Sequence, residues 1–376
     1  MILARTANTM VSLVLVLFAL DRFHTATVAG LVAFLSLAPG LVLSPIAGAL
    51  LDRHGRTRLM VFDYCVAAAC LALIVVLGAT NVITEALLLA IVTVMSLTFP
   101  LSTTGVRTLF PLLVPRPLWE RANAIDSNGY VVSSIFGPAI AGGLVATVGS
   151  LWALALTSVM YAVAAFVTSR LRDPLGVVPH GGLIQDAWAG LVYVVRHPTL
   201  RGLAITISTA NIAGGLFYIG LPVLVLLRLG GDAARVGQLF TLQGLTAAVS
   251  VLLVGRFGTA GRERELMAGS ILLQSLGYLI ALLAPDLLIV GVAMLVLGIA
   301  TGPFDVVLFT MRQRRTDPAW LGRAFAVSMS LNFIGFPVGT AIGGAIAAGS
   351  VEAVFAAAVA LTVIAAAITF FAVPKE

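Results

Sequence analysis

Charged residues are so sparse along this chain that the intervals between them act as a ruler. Charge-free runs cover 23–51, 64–84, 86–106, 127–169, 202–227, 236–255, 266–285, 287–304, 324–351 and 353–374. A helix crossing hydrocarbon needs about 20 mainly apolar residues at 1.5 Å rise each, and every one of these runs is long enough for one. The run 127–169 is twice that length and carries a turn signal at Gly149-Ser150, so it holds two helices. The apolar stretch after Arg5, TANTMVSLVLVLFAL, adds another, and the pattern predicts twelve spanning helices. Only four residues precede Arg5, so the first span is the weakest and the natural start is expected upstream. A cleavable leader does not fit, because no basic segment precedes the apolar core and the run leads straight into a second span.

Composition agrees. Hydrophobic residues make up 60% of the 376 and charged residues 10%, with a mean hydropathy of +1.08, against roughly one-quarter charged in soluble domains. The chain is read as an all-α integral membrane protein. Lys and Arg accumulate on the cytoplasmic side of membrane proteins. With the N-terminus inside, eighteen basic residues fall in inside connections or the C-terminal tail, and only Arg22, Arg228 and Arg235 lie opposite. Both termini are therefore expected in the cytoplasm. The net charge of +6 follows from this topology and gives no argument for nucleic acid. Arg greatly outnumbers Lys and Ala is abundant, which suggests a high-GC bacterial source and thus a bacterial cytoplasmic (inner) membrane.

Several chemistries find no support. Cys65 and Cys70 sit five residues apart in one apolar helix, off a common face, and read as small buried hydrophobes. His24, His54, His180 and His197 are scattered among connections, so no metal site is expected. No Ser, His and carboxylate set stands at one depth, and no GxxxxGK[ST] loop occurs. The expectation is a non-enzyme without cofactor.

The longest hydrophilic connection splits the chain. It contains Pro174, Pro179, Gly181 and Gly182, then Trp188, Leu191, Val194 and Val195 at helical spacing, which reads as a linker followed by an amphipathic surface helix. The expected organisation is a six-helix bundle over 1–170, this linker over 171–199, and a second six-helix bundle over 200–376. The halves repeat weakly. RPLWERANAI at 116–125 resembles DPAWLGRAFAV at 317–327, and Gly142-Gly143 falls on Gly343-Gly344. A degraded copy of GALLDRHGRTR is LLVGRFGTAGRER, with Gly255 where Asp52 stands. Two repeated six-helix halves are the sequence mark of a transporter that rocks around a midplane site.

The segment GALLDRHGRTR, with Gly48, Asp52, Arg53, Gly55, Arg56 and Arg58, resembles the loop signature between the second and third helices of the major facilitator superfamily. SSIFGPAIAGG resembles that superfamily's antiporter motif in the fifth helix, through Gly129, Gly137, Pro138 and Gly142, with Ala141 replacing the first glycine of a pair. AGLVYVVRHPTLRGLAI and LVPRPLWERANAI resemble its efflux branch, which includes siderophore exporters and macrolide or multidrug pumps. The resemblance implies two pseudo-symmetric bundles of six helices. It also implies a latch in which Asp52 faces the N-terminal end of the eleventh helix near Gly322 to Ala324, where a helix dipole favours a carboxylate by about 0.3–1 kcal/mol. A merely positive inside loop would need Arg alone and leaves the Asp and the two glycines unexplained.

Ionisable groups inside spans are functional candidates by default. Asp305 in the tenth span lies seven residues before Arg312, about 10 Å deeper at helical rise. By superfamily architecture Arg107 of the fourth span lines the cavity opposite it, a pair able to respond to protons. The competing reading turns Asp305 toward Arg312. Asp126, Tyr130, Ser133, Ser134 and Gly137 form a polar stripe on the fifth span, matched by Ser328, Asn332, Gly335 and Gly339 in the eleventh. Asp126 is assigned to the cytoplasmic charge network with Arg53 or Arg56 and Tyr130 to substrate contact, while the glycines read as helix packing. Asn211, on one face of the seventh span with Ser208, Gly215 and Tyr218, is the expected hydrogen-bonder of the cavity. Asn8 is neutral where the efflux branch often has an acid, and Asp63, close after Arg58, reads as interfacial and structural.

The sequence thus points to a monomeric, lipid-embedded carrier that exports a small amphipathic compound against protons. An importer or uniporter, a channel and a membrane enzyme are the competing classes. If the loop signature is a latch, Asp52→Asn is expressed normally and transports more slowly in a vesicle uptake assay; transport at the wild-type rate removes the latch.

Overall fold

The computed structural model describes residues 2–113, 119–171, 183–257, 261–317 and 320–374. Within these, the side chains of 45, 48, 49, 52, 107, 108, 110–113, 119–128, 130, 183–187, 255, 257, 313 and 321–326 lie outside the described residues. The chain runs α1 (Ile2–Phe23), α2 (Ala26–Leu35), α3 (Ala38–His54), α4 (Arg56–Ala79), α5 (Glu85–Leu113), α6 (Trp119–Val148) and α7 (Ser150–Ser169). It continues with α8 (Leu183–Arg196), α9 (Pro198–Val223), α10 (Ala233–Phe257), α11 (Glu263–Leu282), α12 (Leu287–Arg315), α13 (Leu321–Phe333), α14 (Gly335–Ala347) and α15 (Val351–Ala372). Among the described residues twelve helical stretches are long and apolar enough to cross a membrane. The first of these, α1, is a full 22-residue helix that includes Arg5, so the span that looked weakest in the sequence has the length to cross.

The chain divides into two compact units. One comprises Met1–His24 and Leu31–Leu183, the other Thr25–Gly30 and Ile184–Glu376. Both are built on one packing pattern. In the first unit α1 packs on α6 and α7, α3 on α5, and α4 on α5 and α7. In the second, α9 packs on α14 and α15, α10 on α12, and α11 on α12 and α15. The faint sequence repeat is therefore a repeat of helix neighbours. Within the second unit, Gly30 lies against Thr340 and Gly344 of α14.

Large apolar side chains point outward on many helices, among them Val76, Phe166, Leu252, Leu288 and Phe371. Water would reject such a surface, and lipid accepts it. In lipid every backbone donor and acceptor must be satisfied within the protein, which leaves helices as the building unit.

Corners between helices are tight and glycine-dependent where the sequence says so. Gly55 separates α3 from α4 at φ 92°, and Gly149 separates α6 from α7 at φ 89°. Both lie in the left-handed region that side chains disfavour. The conformation explains the second glycine of the loop signature: one residue reverses the chain between two spans. Side-chain caps begin other helices, with Asp286 accepting from Ile289 N (3.0 Å) and Ser350 from Ala353 N (3.2 Å).

Helix contacts rely on small residues because lipid gives helices no hydrophobic reason to associate. Gly137 of α6 sits against Thr9 of α1, and Gly339 of α14 sits against the Ile212 carbonyl of α9. A Cβ on Gly339 would come 2.8 Å from Ile212 C, whereas one on Gly269 would have nothing within 4 Å. Gly339→Ala is expected to destabilise the purified protein by about 1–3 kcal/mol through overpacking, and Gly269→Ala to leave it unchanged or slightly more stable, both read from melting curves in detergent.

Candidate functional site

The second unit contains a polar seam at an interrupted helix. The eleventh span is split at Ile334 into α13 and α14. Pro337 has no N–H to offer the carbonyl four residues earlier, and Gly335 lies tight against Ser208 of α9. Two side chains of α9 donate to carbonyls just before the break: Ser208 Oγ to Leu331 O (2.6 Å) and Asn211 Nδ2 to Asn332 O (2.7 Å). These bonds supply donors where the helical ladder is disturbed, as hydrocarbon requires.

Arg312 of α12 is fully buried beside this seam. Its Nη1 lies 2.9 Å from Met329 Sδ. With the Asn332 amide oriented to satisfy both neighbours, its Oδ1 accepts from Arg312 Nη2 (2.5 Å) and its Nδ2 donates to Ser328 O (3.1 Å). A buried guanidinium costs several kcal/mol unless hydrogen-bonded, and the amide answers part of that demand. Asn332 is itself buried, so of the two asparagines singled out in the sequence one joins helices and the other also holds a cation. Asp305 stands on the same helix as Arg312 and is partly exposed. Arg312, the alternative partner offered for it by the sequence, is directed at α13. Tyr218, on the same face of α9 as Asn211, lies among aromatic rings, 5.5 Å from both Phe240 and Phe336.

In the first unit the antiporter-motif face of α6 is a contact with α1. Thr9 Oγ1 donates to Ser133 O (2.9 Å), Thr6 and Ser133 share a hydroxyl bond (3.1 Å), and Gly129 lies against Ile2. Gly142 is buried and Pro138 is accommodated within the helix. The side chains of Asp126, Tyr130, Arg107 and Asp52, and the surroundings of Gly48, lie outside the described residues. Of the other loop-signature residues, Arg53 and Arg58 are exposed and Arg56 is half-buried.

Asp63, expected to be interfacial and structural because it follows Arg58 closely, is more enclosed than its place in the sequence suggests. Helix α4 begins at Arg56, so Asp63 lies two turns inside and is only 3% exposed. Ser102 and Thr98 of α5 bear on its carboxylate from nearby, but their hydroxyls donate to carbonyls of their own helix, Ser102 Oγ to Phe99 O (3.3 Å) and Thr98 Oγ1 to Met95 O (3.2 Å). Beside it is a cavity of about 30 Å³ whose polar lining is Asn8, Ser12, Ser36, Asp63, Ser96 and Tyr161. The hydroxyl-rich stretch MSLTFPLSTTG in the fourth span and the i, i+4 pair Asn8 and Ser12 were the available signals. A second residue passed over is Glu263. The degraded loop copy lacks an acid at Gly255, yet buried Glu263 at the start of α11 pairs with Arg314 at the end of α12. In the expected surface helix, Tyr193 of α8 stacks on Trp320 (4.9 Å) and accepts from Asp317 N (3.2 Å), which gives the repeated Trp of that half a packing role.

Comparison with known proteins places this geometry in a family. A profile described as transmembrane secretion effector matches residues 16–376. The MFS-type transporter y4rN of Sinorhizobium fredii is 35% identical over 377 residues, covering 100% of this chain and 93% of that protein. The multidrug efflux pump Tap of Mycobacterium tuberculosis is 25% identical over 340 residues, covering 86% and 80%. Macrolide efflux protein A of Streptococcus pyogenes is 21% identical over 356 residues, covering 88% and 84%. Among solved structures, the nucleoside transporter NupG aligns with a TM-score of 0.78 at 13% identity, covering 99% of this chain and 98% of that one. A bacterial homologue of the lysosomal transporter Spinster aligns at 0.74 and 16%, covering 99% and 94%. With twelve candidate spans in two six-helix units, and a family match over nearly its whole length, the chain belongs to the transmembrane secretion effector family of major facilitator superfamily transporters.

Proposed function

We propose that this chain is a secondary active exporter of the bacterial cytoplasmic membrane, both termini inside, that moves a small amphipathic compound outward in exchange for protons. The observation that carries the reading is the interrupted eleventh span. Transporters of this kind build substrate and ion sites where a spanning helix is irregular, and here the disturbed turn before Pro337, in which Ile334 stays helical, is bridged by side chains of α9 and flanked by Arg312. Each bridging bond is a single side-chain-to-carbonyl contact worth about 0.5–1.5 kcal/mol net, weak enough to be exchanged during alternating access.

The few fixed charges and the rings around Tyr218 favour an apolar or weakly charged compound over a sugar phosphate. The two efflux relatives support export, and the concentration of arginines on one side supports the orientation. Asp305, partly exposed within the tenth span, is the proposed proton-responsive group of the second unit, and Arg107 its partner in the transport path with Asp126, Tyr130, Asn211 and Asn332. The carrier acts as a monomer without cofactor.

Reconstitution into vesicles with an imposed pH gradient tests the whole reading. Dyes, siderophores and macrolides are screened for movement that saturates, stops on adding a protonophore and returns the compound chemically unchanged. Movement without saturation indicates a channel, and a changed product an enzyme. In the same vesicles Asp305→Asn is expected to flatten the dependence of transport on pH; a normal pH profile removes Asp305 from coupling. Asn211→Ala is expected to lower transport several-fold in protein that remains folded, at a stability cost of about 1 kcal/mol.

A further inference from the structure

A carboxylate 3% exposed inside a membrane span needs a reason. The polar groups of α5 that bear on Asp63 are the neutral hydroxyls of Ser102 and Thr98, which donate to carbonyls of their own helix. They do not neutralise its charge, and burying a bare carboxylate is very costly. Among the described residues, the charged and titratable groups that bear on this place are few. Tyr161 comes from α7 and Tyr64 is its neighbour on α4, their rings 6.1 Å apart, while Arg5 of α1 acts on Tyr64. From α5 come the hydroxyls Ser96, Thr98 and Ser102; the Arg107 side chain lies outside the described residues. From the segment joining α2 and α3 comes Ser36.

The cavity beside Asp63 is graded in exposure. Asp63, Ser96 and Tyr161 are buried and form its floor, while Asn8, Ser12 and Ser36 are partly exposed and form its rim. Its size suits a water molecule or a small ion. Its polar lining offers oxygen atoms from a carboxylate, hydroxyls and an amide, the donors that hard cations prefer.

Fold alone does not demand this pocket. In the second unit the same three-helix junction, α11 with α12 and α15, is packed by Met267, Ile271, Phe304 and Ala366. α12 has the same length as α5, and the repeat offset that pairs Pro117 with Pro318 sets Pro303, next to Phe304, at the position of Ser102. The second unit sets a small hydroxyl, Ser270 of α11, beside this apolar cluster where the first unit sets an acid beside a hollow. We propose that the Asp63 pocket is a monovalent-cation site of the first unit, in which a proton or a sodium ion neutralises the carboxylate. Its role in transport deepens the proposed function and rests on that reading; cation binding by the purified chain does not.

Melting temperatures of the full-length chain in detergent test the binding. Ligands of the folded state raise the melting temperature with concentration, so wild type is expected to gain a few degrees along one of two arms. If the occupant is a proton, the gain comes on lowering pH in potassium buffer. If it is sodium, the gain comes on replacing potassium by sodium at constant pH and ionic strength. Asp63→Asn should abolish the gain. Wild type that responds on neither arm, or Asp63→Asn that responds as wild type does, overturns the site. Should Asp63→Asn fail to fold, Ser12→Ala keeps the question answerable: loss of one oxygen of the cavity lining should weaken the apparent affinity several-fold, and an unchanged titration overturns the site. In vesicles, Asp63→Asn is expected to retain substrate exchange and lose gradient-driven accumulation. Absence of gradient-driven transport in wild type instead defeats the exporter reading while leaving the melting result standing.

Discussion

A carbonyl or N–H that loses its helical partner inside hydrocarbon has no water to turn to, and this constraint governs the polar architecture of the chain. It forbids strands with open edges and loops at depth, so two units of six spans carry the chain across. It also makes each break in a helix expensive unless another side chain steps in. The eleventh span is broken beside Pro337, and Ser208 and Asn211 donate to the carbonyls just before the break. The glycines of the same interface let α9 approach closely enough for those short side chains to reach. Packing and hydrogen bonding are therefore one device here.

The two units share a neighbour pattern but differ in what fills it. Where the first helix of the repeat meets the fifth, both units use small residues and hydroxyls: Thr9, Ser133 and Gly137 in one, Ser208, Gly335 and Gly339 in the other. Where the third, fourth and sixth helices meet, one unit packs an apolar cluster with small hydroxyls such as Ser270, and the other leaves a cavity beside Asp63 lined by oxygen atoms. A duplicated scaffold can thus keep one copy of a junction for stability and use the other for chemistry. Charged groups divide in the same way, with Arg312 buried at the interrupted helix of one unit and Asp63 in the hollow of the other.

The sequence determined much of this without a structure. Sparse charge set the number of spans, because an ion at the bilayer centre costs about 2.5–3.5 kcal/mol on insertion scales and is excluded from most of their length. Gly149 marked the corner inside the double-length run, and the signature glycine Gly55 marked another, since each needs a left-handed backbone. Gly137 in the fifth span and Gly335, Gly339 and Gly343 in the eleventh announced close helix contacts, whereas Gly143 of the repeated pair has open space around it.

Tertiary structure alone decided the rest. A ruler made from charges treats each charge as an end of a span, so it placed Asp63 before the third charge-free run when α4 carries it two turns from its start, beside a small polar cavity. It showed Glu263 within the second loop copy but not its partner, because Glu263 reaches Arg314 across a helix pair, a contact that spacing along one stretch of sequence does not encode. Asn211 and Asn332 were visible as polar residues on helix faces, but which bonds the backbone and which holds Arg312 depends on where α12 and the broken span lie. Sequence fixes which groups must avoid lipid; three-dimensional packing selects the partners that allow them to.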